Sequence, residues 1–160
     1  MRLRALLWWV PVAVWAGVIF YMSTATFGAS FTNRLLADIL AILHLEVSPH
    51  TFGLLEFGSR KLGHLTEYSI FAIFLYHALG DDHRSVWDPR KALACILLAG
   101  LYSLTDEFHQ RLVPGRGPSI VDCGIDTIGA TLGMLIVYFA GEGPVQSGEE
   151  AESPAGGTAS

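Results

Sequence analysis

The chain has 160 residues, 51% of them hydrophobic and only 16% charged, where soluble domains carry about 25% charged residues. That balance points to an integral membrane protein, and the length allows one domain. The net charge of −5 comes mostly from Glu142, Glu149, Glu150 and Glu152 near the end, and the absence of a basic stripe excludes a nucleic-acid-binding class.

A first span is expected from about Ala5 to Tyr21. Arg2 and Arg4 precede it, and Trp8, Trp9 and Trp15 anchor it. A cleaved signal ending at Ser23-Thr24-Ala25 is the competing reading, against which stand the length of the apolar run and its tryptophans. A long loop follows. Within it Asn33 to Val47 reads as a helix lying at the membrane interface or against the bundle, ended by Ser48-Pro49. Further spans are expected at about Leu62 to Leu79, Ala92 to Thr105 (continuing as helix through His109) and Ile120 to Ala140. Pro114-Gly115 marks the turn before the last span, and Ser119 is its expected N-cap. The fold class is therefore an all-α, four-span membrane bundle over residues 1–140. A disordered acidic tail of Gly, Pro, Ser, Ala and Glu is expected over 141–160. Cys95 and Cys123 fall near opposite ends of different spans, so no disulfide is expected.

Lys and Arg divide evenly between the two sides of such a bundle. Discounting Arg60, Lys61, Arg111 and Arg116, which belong to polar clusters, leaves both termini cytoplasmic.

The clusters are the informative part. One is Arg60-Lys61-x-x-His64-x-x-Glu67-Tyr68. The other is Asp106-Glu107-x-His109-Gln110, running on to Arg116, Ser119, Asp122 and Asp126. The span count puts both at one membrane face. Fourteen uncharged residues separate Lys91 from Asp106, about 21 Å of helix against a hydrocarbon core of about 30 Å. Similar lengths separate Glu67 from Asp81 and Asp126 from Glu142. Glu67, Asp106 and Asp126 are thus expected at a common depth below the outer headgroups. Isolated carboxylates are disfavoured there, and a shared polar pocket accommodates them.

Lys61, His64 and Tyr68 share a helix face; so do Asp106, His109 and Gln110. Asp122, Asp126, Gly129, Ala130 and Gly133 form one stripe, whose G-x-x-x-G pair suits close helix approach.

Three readings of the clusters stand open. In the first, Arg60, Lys61 and Arg116 hold a lipid phosphate, with His64 and Glu67 as an acid/base pair and aspartates fixing the His64 tautomer. In the second, His64, Glu67, Asp106, His109 and Asp122 ligate zinc or manganese. In the third, Lys61 with Glu67, and Arg116 with Asp122 or Asp106, are architectural ion pairs. The first is preferred. It makes His64, Glu67 and Asp106 the candidate chemical groups and Arg60, Lys61, Tyr68, Gln110, Arg116, Ser119, Asp122 and Asp126 the ligand-binding set. It calls for no cofactor and no metal.

These residues, in this order, resemble the VanZ-like family of bacterial membrane proteins. The matching stretches are Ser23, Arg60-Lys61-x-x-His64-x-x-Glu67-Tyr68, and Asp106-Glu107-x-x-Gln110-x-x-x-Pro114-Gly115-Arg116-x-x-Ser119-x-x-Asp122, with Gly129 and Gly133 trailing. The likeness covers roughly residues 5 to 140. It departs at Asp126, where the pattern has Asn. The resemblance implies a cell-envelope protein of the bacterial cytoplasmic membrane, with an effect on susceptibility to teicoplanin, a glycopeptide that targets cell-wall precursors. Membrane lipids, and a lipid-linked phosphate headgroup held by the basic residues of the clusters, are the expected partners. A non-catalytic membrane scaffold is the alternative.

Overall fold

The computed structural model describes residues 2–24, 29–80, 87–113 and 119–142. Among them are five α-helices and no strand: α1 (Arg2–Met22), α2 (Ala29–Ile42), α3 (Pro49–Ala78), α4 (Pro89–Gln110) and α5 (Ile120–Val137). A π-helical turn, Tyr138–Glu142, continues α5. The turn at Pro114-Gly115, Asp81 and the expected tail beyond Glu142 lie outside the described residues.

The long loop expected after the first helix is corrected. α2 begins and ends earlier than the apolar pattern suggested. It closes with a Schellman motif: Leu45 N–H donates to Leu40 O at 2.9 Å, His44 N–H to Ala41 O at 3.1 Å, and His44 takes the left-handed conformation (φ 53°) usually filled by glycine. Ser48-Pro49, expected to end a helix, starts one. Ser48 Oγ accepts the Thr51 N–H at 3.2 Å, and Pro49 supplies a preset φ in the first turn. α3 then runs for 30 residues, straight through Arg60-Lys61. Hydropathy marks only its apolar second half, because charge ends an apolar run without ending a helix.

Side-chain contacts give the helix directions. Trp15 of α1 donates from its indole to Glu67 O at 2.9 Å and meets the Phe74 ring edge-on, while Met22 and Ser23 share a cavity with Gly63 and His64. α1 and α3 are therefore antiparallel. Tyr102 Oη donates to Ala16 O at 2.7 Å and His109 packs on Phe20, so α1 and α4 run parallel. α3 and α5 are also parallel, with Leu65 against Gly129 and Ser69 against Gly133. The result is an up-down-up-down arrangement of α1, α3, α4 and α5. The ends of α1 and α4 and the start of α5 meet α3 near His64. The first turns of α3 extend past this end, and α2 packs on α3, with Phe31, Thr32 and Leu35 beside Ser59, Arg60 and Gly63.

The centre of the bundle is closed by Tyr68, Ala72, Tyr76, Cys95, Ala99 and Ala130, all without solvent exposure. Cys95 and Cys123 are buried free thiols, as expected. At the opposite end Tyr76 stacks on Trp87 and accepts the Asp88 N–H at 3.1 Å.

The surface is apolar. Large hydrophobic side chains stand exposed on every helix, among them Leu6, Val14, Leu97, Leu101, Ile128 and Ile136. Four acidic residues, Asp106, Glu107, Asp122 and Asp126, are instead buried between the helices. The α5 helix with its π-helical end, Ile120–Ala140, has 21 residues and a mean hydropathy of 1.7, long and apolar enough to cross a bilayer; Leu6–Met22 is a shorter apolar helix.

Candidate functional site

The two sequence clusters meet. α3 supplies Lys61, His64, Glu67 and Tyr68. α4 supplies Ser103, Asp106, Glu107 and Gln110, and α5 supplies Asp122 and Asp126. Ser23 closes the set from the end of α1.

The α3–α5 contact aligns the groups. Without a Cβ, Gly129 and Gly133 let the α5 backbone touch the carbonyls of Leu65 and Ser69. Ser69 Oγ reinforces the seam: it lies 2.7 Å from both Gly129 O and Leu65 O, and its one hydroxyl hydrogen serves these two carbonyls. Nearer the start of α5, His64 Nδ1 lies 3.0 Å from Asp126 Oδ1. One turn back from these along each helix, Lys61 Nζ donates to Asp122 Oδ1. Asp126 is 1% exposed, and its second oxygen accepts from Ser103 Oγ at 2.5 Å. One buried carboxylate thus joins α3, α4 and α5.

Asp106 is buried on α4, where Gln110 Nε2 donates to its Oδ2 at 3.0 Å one turn along the same helix. Ser23, also buried, lies beside this carboxyl. Glu107 reaches across to α5, its Oε2 accepting the Ser119 N–H at 2.6 Å. Ser119 occupies the N-cap position, but its side chain makes no capping bond. Glu107 instead binds the backbone at the positive end of α5.

A cavity of about 250 Å³ opens beside these groups. Arg60, His64 and Glu67 line it from α3, Ser23 from α1, and Phe31, Thr32 and Leu35 from α2. Arg60 is exposed at its rim. Lys61, expected beside Glu67, points to the other side of α3 and is held by Asp122, near the Phe57 ring. Tyr68 is fully buried under the cluster. Tyr68 Oη, Asp106 Oδ1, Glu107 Oε1 and His109 Nδ1 are buried without a hydrogen-bond partner among the described residues. Polar atoms buried in this way are met by water or ligand.

Of the expected site residues, the fold brings together Lys61, His64, Tyr68, Asp106, Gln110, Asp122 and Asp126. Arg60 and Glu67 sit at the adjoining cavity, and Ser119 at the α5 terminus. Arg116 lies outside the described residues. The set proposed for zinc or manganese does not assemble: His109 packs against Phe20 with ring centroids 4.2 Å apart, and no group of three or more His, Cys, Asp and Glu among the described residues is placed to hold a metal. Ser103, which from the sequence reads as a residue able to hydrogen-bond between helices and not as a site residue, makes such a bond to Asp126 and so joins the site. Its signal was its position three residues before Asp106, on the same face of an apolar helix.

No curated protein and no solved structure matches the chain. The chain belongs to the VanZ/LLP1 family, whose model matches residues 8–141.

Proposed function

We propose that this is a four-span cell-envelope protein of the bacterial cytoplasmic membrane. Both termini are cytoplasmic, and the polar end lies near the outer leaflet. The distribution of side chains supports this reading, because large apolar side chains face outward on every helix while Asp106, Glu107, Asp122 and Asp126 are buried between them. On the same reading the cavity at that end receives the anionic phosphate headgroup of a lipid-linked wall precursor. Occupying or altering that headgroup is the route by which the protein changes glycopeptide (teicoplanin) susceptibility.

One observation carries the choice of ligand. His64, held at Nδ1 by a buried carboxylate, and the exposed Arg60 border the same cavity. An arginine at a rim suits a phosphate bidentately. A histidine whose first nitrogen is engaged by Asp126 turns its chemistry to Nε2, which accepts or returns a proton on the ligand. Lys61 is engaged by Asp122, so that pair serves the bundle and the phosphate contact falls to Arg60.

The test is binding by purified protein in nanodiscs. A short-chain polyprenyl phosphate should bind wild type, the matching neutral polyprenol should not, and Arg60→Gln and His64→Ala should each weaken retention of the phosphate. Equal retention of phosphate and alcohol removes the headgroup reading. Teicoplanin susceptibility of a sensitive Gram-positive host, at matched membrane abundance, then reports whether binding matters in the envelope.

A further inference from the structure

The Ser103–Asp126–His64 chain is built from three helices and is almost wholly sealed. Ser103 has no exposed surface, and Asp126 is 1% exposed. Each carboxylate oxygen has one partner, with Ser103 Oγ 2.5 Å from Oδ2 and His64 Nδ1 3.0 Å from Oδ1. A carboxylate has only acceptors to offer, so both partners must donate. Ser103 has a single hydrogen to give, and giving it to Oδ2 fixes the plane of the carboxyl group. Oδ1 then faces His64 as an acceptor.

We infer that Ser103 is a positioning residue which, through Asp126, holds neutral His64 in the Nδ1–H tautomer, with the Nε2 lone pair turned to the cavity. The inference rests on the reading of that cavity as a ligand site and adds to it a handedness of proton transfer. His64 enters the exchange as an acceptor at Nε2, so the ligand must bring the proton. That matches a protonated phosphate or a hydroxyl and excludes a fully ionised acceptor-only group as the proton source. The third helix holds the acceptor in place, because Asp126 alone is free to rotate about its terminal torsion and turn its oxygens away from Nδ1.

The experiment is nitrogen NMR of histidine-labelled full-length protein in nanodiscs, assigned with His64→Gln and recorded at a pH where the ring is neutral. Wild type is expected to show one population with Nδ1 protonated and Nε2 bare. Ser103→Ala should lose that single population and add an Nε2–H form. Ser103→Thr, which keeps the hydroxyl, should restore it. Unfolding temperature measured on the same samples separates loss of the fold from loss of the tautomer. A wild-type ring protonated at Nε2, or an Ser103→Ala spectrum identical to wild type, overturns the inference. The readout uses no ligand: if polyprenyl phosphate fails to bind while the tautomer behaves as stated, the headgroup reading falls and the positioning chain stands.

Discussion

Leu65 and Gly129 touch backbone to backbone: a methyl group on Gly129 would drive into the Leu65 carbonyl. The same holds four residues on, between Gly133 and the Ser69 carbonyl. Neither carbonyl can swing aside as a side-chain tip could, because each belongs to the helical ladder of α3. Gly129→Ala and Gly133→Ala must therefore push α3 and α5 apart, at about 1–3 kcal/mol for overpacking. Gly124 offers the control. It sits on the same helix with open space around its Cα, and alanine there is favoured by up to about 1 kcal/mol through helix propensity. Thermal unfolding in one detergent should rank Gly124→Ala at or above wild type and both seam variants below it. Equal stability of all three would mean the close seam is not formed.

Separating α3 from α5 also disturbs the polar cluster, because the seam and the polar pairs lie between the same two helices. Lys61 and Asp122 form the outermost rung. Removing one member of a buried ion pair costs roughly 3–5 kcal/mol, and the 22% exposure of the Lys61 side chain places this pair toward the lower end. Lys61→Met and Asp122→Asn should each destabilise the protein. The double variant should be less damaged than the sum of the singles by about 1 kcal/mol or more, the usual mark of residues in direct contact. Strict additivity would mean that the two side chains do not depend on each other.

Much of this site is legible along the chain, because helical spacing is a local property. Lys61, His64 and Tyr68 on one face, and Asp122, Asp126, Gly129 and Gly133 on another, need only the 3.6-residue period. Partner choice is not local. Lys61 and Glu67 are near in sequence, yet six residues turn roughly 240° around a helix, so the lysine faces α5 while the glutamate faces the α1 and α2 side. Glu107 was visible as a charge near the others, but its hold on the Ser119 N–H depends on where α5 starts relative to α4. The first half of α3 was hidden for a different reason: its Gly, Ser, Arg and Lys give no apolar run, and its helical state rests on the Ser48-Pro49 cap and on packing with α2.

Arg60 separates binding from folding. It is exposed, so Arg60→Gln should change stability by no more than about 0.5 kcal/mol. A lost charge-assisted hydrogen bond to phosphate is worth about 1.5–3 kcal/mol, a weakening of roughly tenfold to a hundredfold in Kd for polyprenyl phosphate. Arg60→Lys keeps the charge without the planar fork and should recover only part of the loss. Binding by wild type should also fall with added salt, since the rim charge is solvent-facing. Full affinity in Arg60→Gln would move the phosphate contact elsewhere.

α4 makes the membrane topology measurable. Its 22 residues span about 33 Å, against a hydrocarbon core of about 30 Å, so its two ends should emerge on opposite sides. Leu112, just past the polar end, is 72% exposed, and Arg90 is exposed at the other end. The native thiols Cys95 and Cys123 are buried, which makes unmodified protein the background control. A membrane-impermeant maleimide added to intact cells should label Leu112→Cys and should label Arg90→Cys only after the cells are opened. The reverse pattern would invert the molecule and turn the cavity toward the cytoplasm, where a lipid-linked precursor would have to be met on its inner-leaflet side. Labelling of both positions from one side would mean that α4 does not cross the bilayer, and the four-span reading would be abandoned.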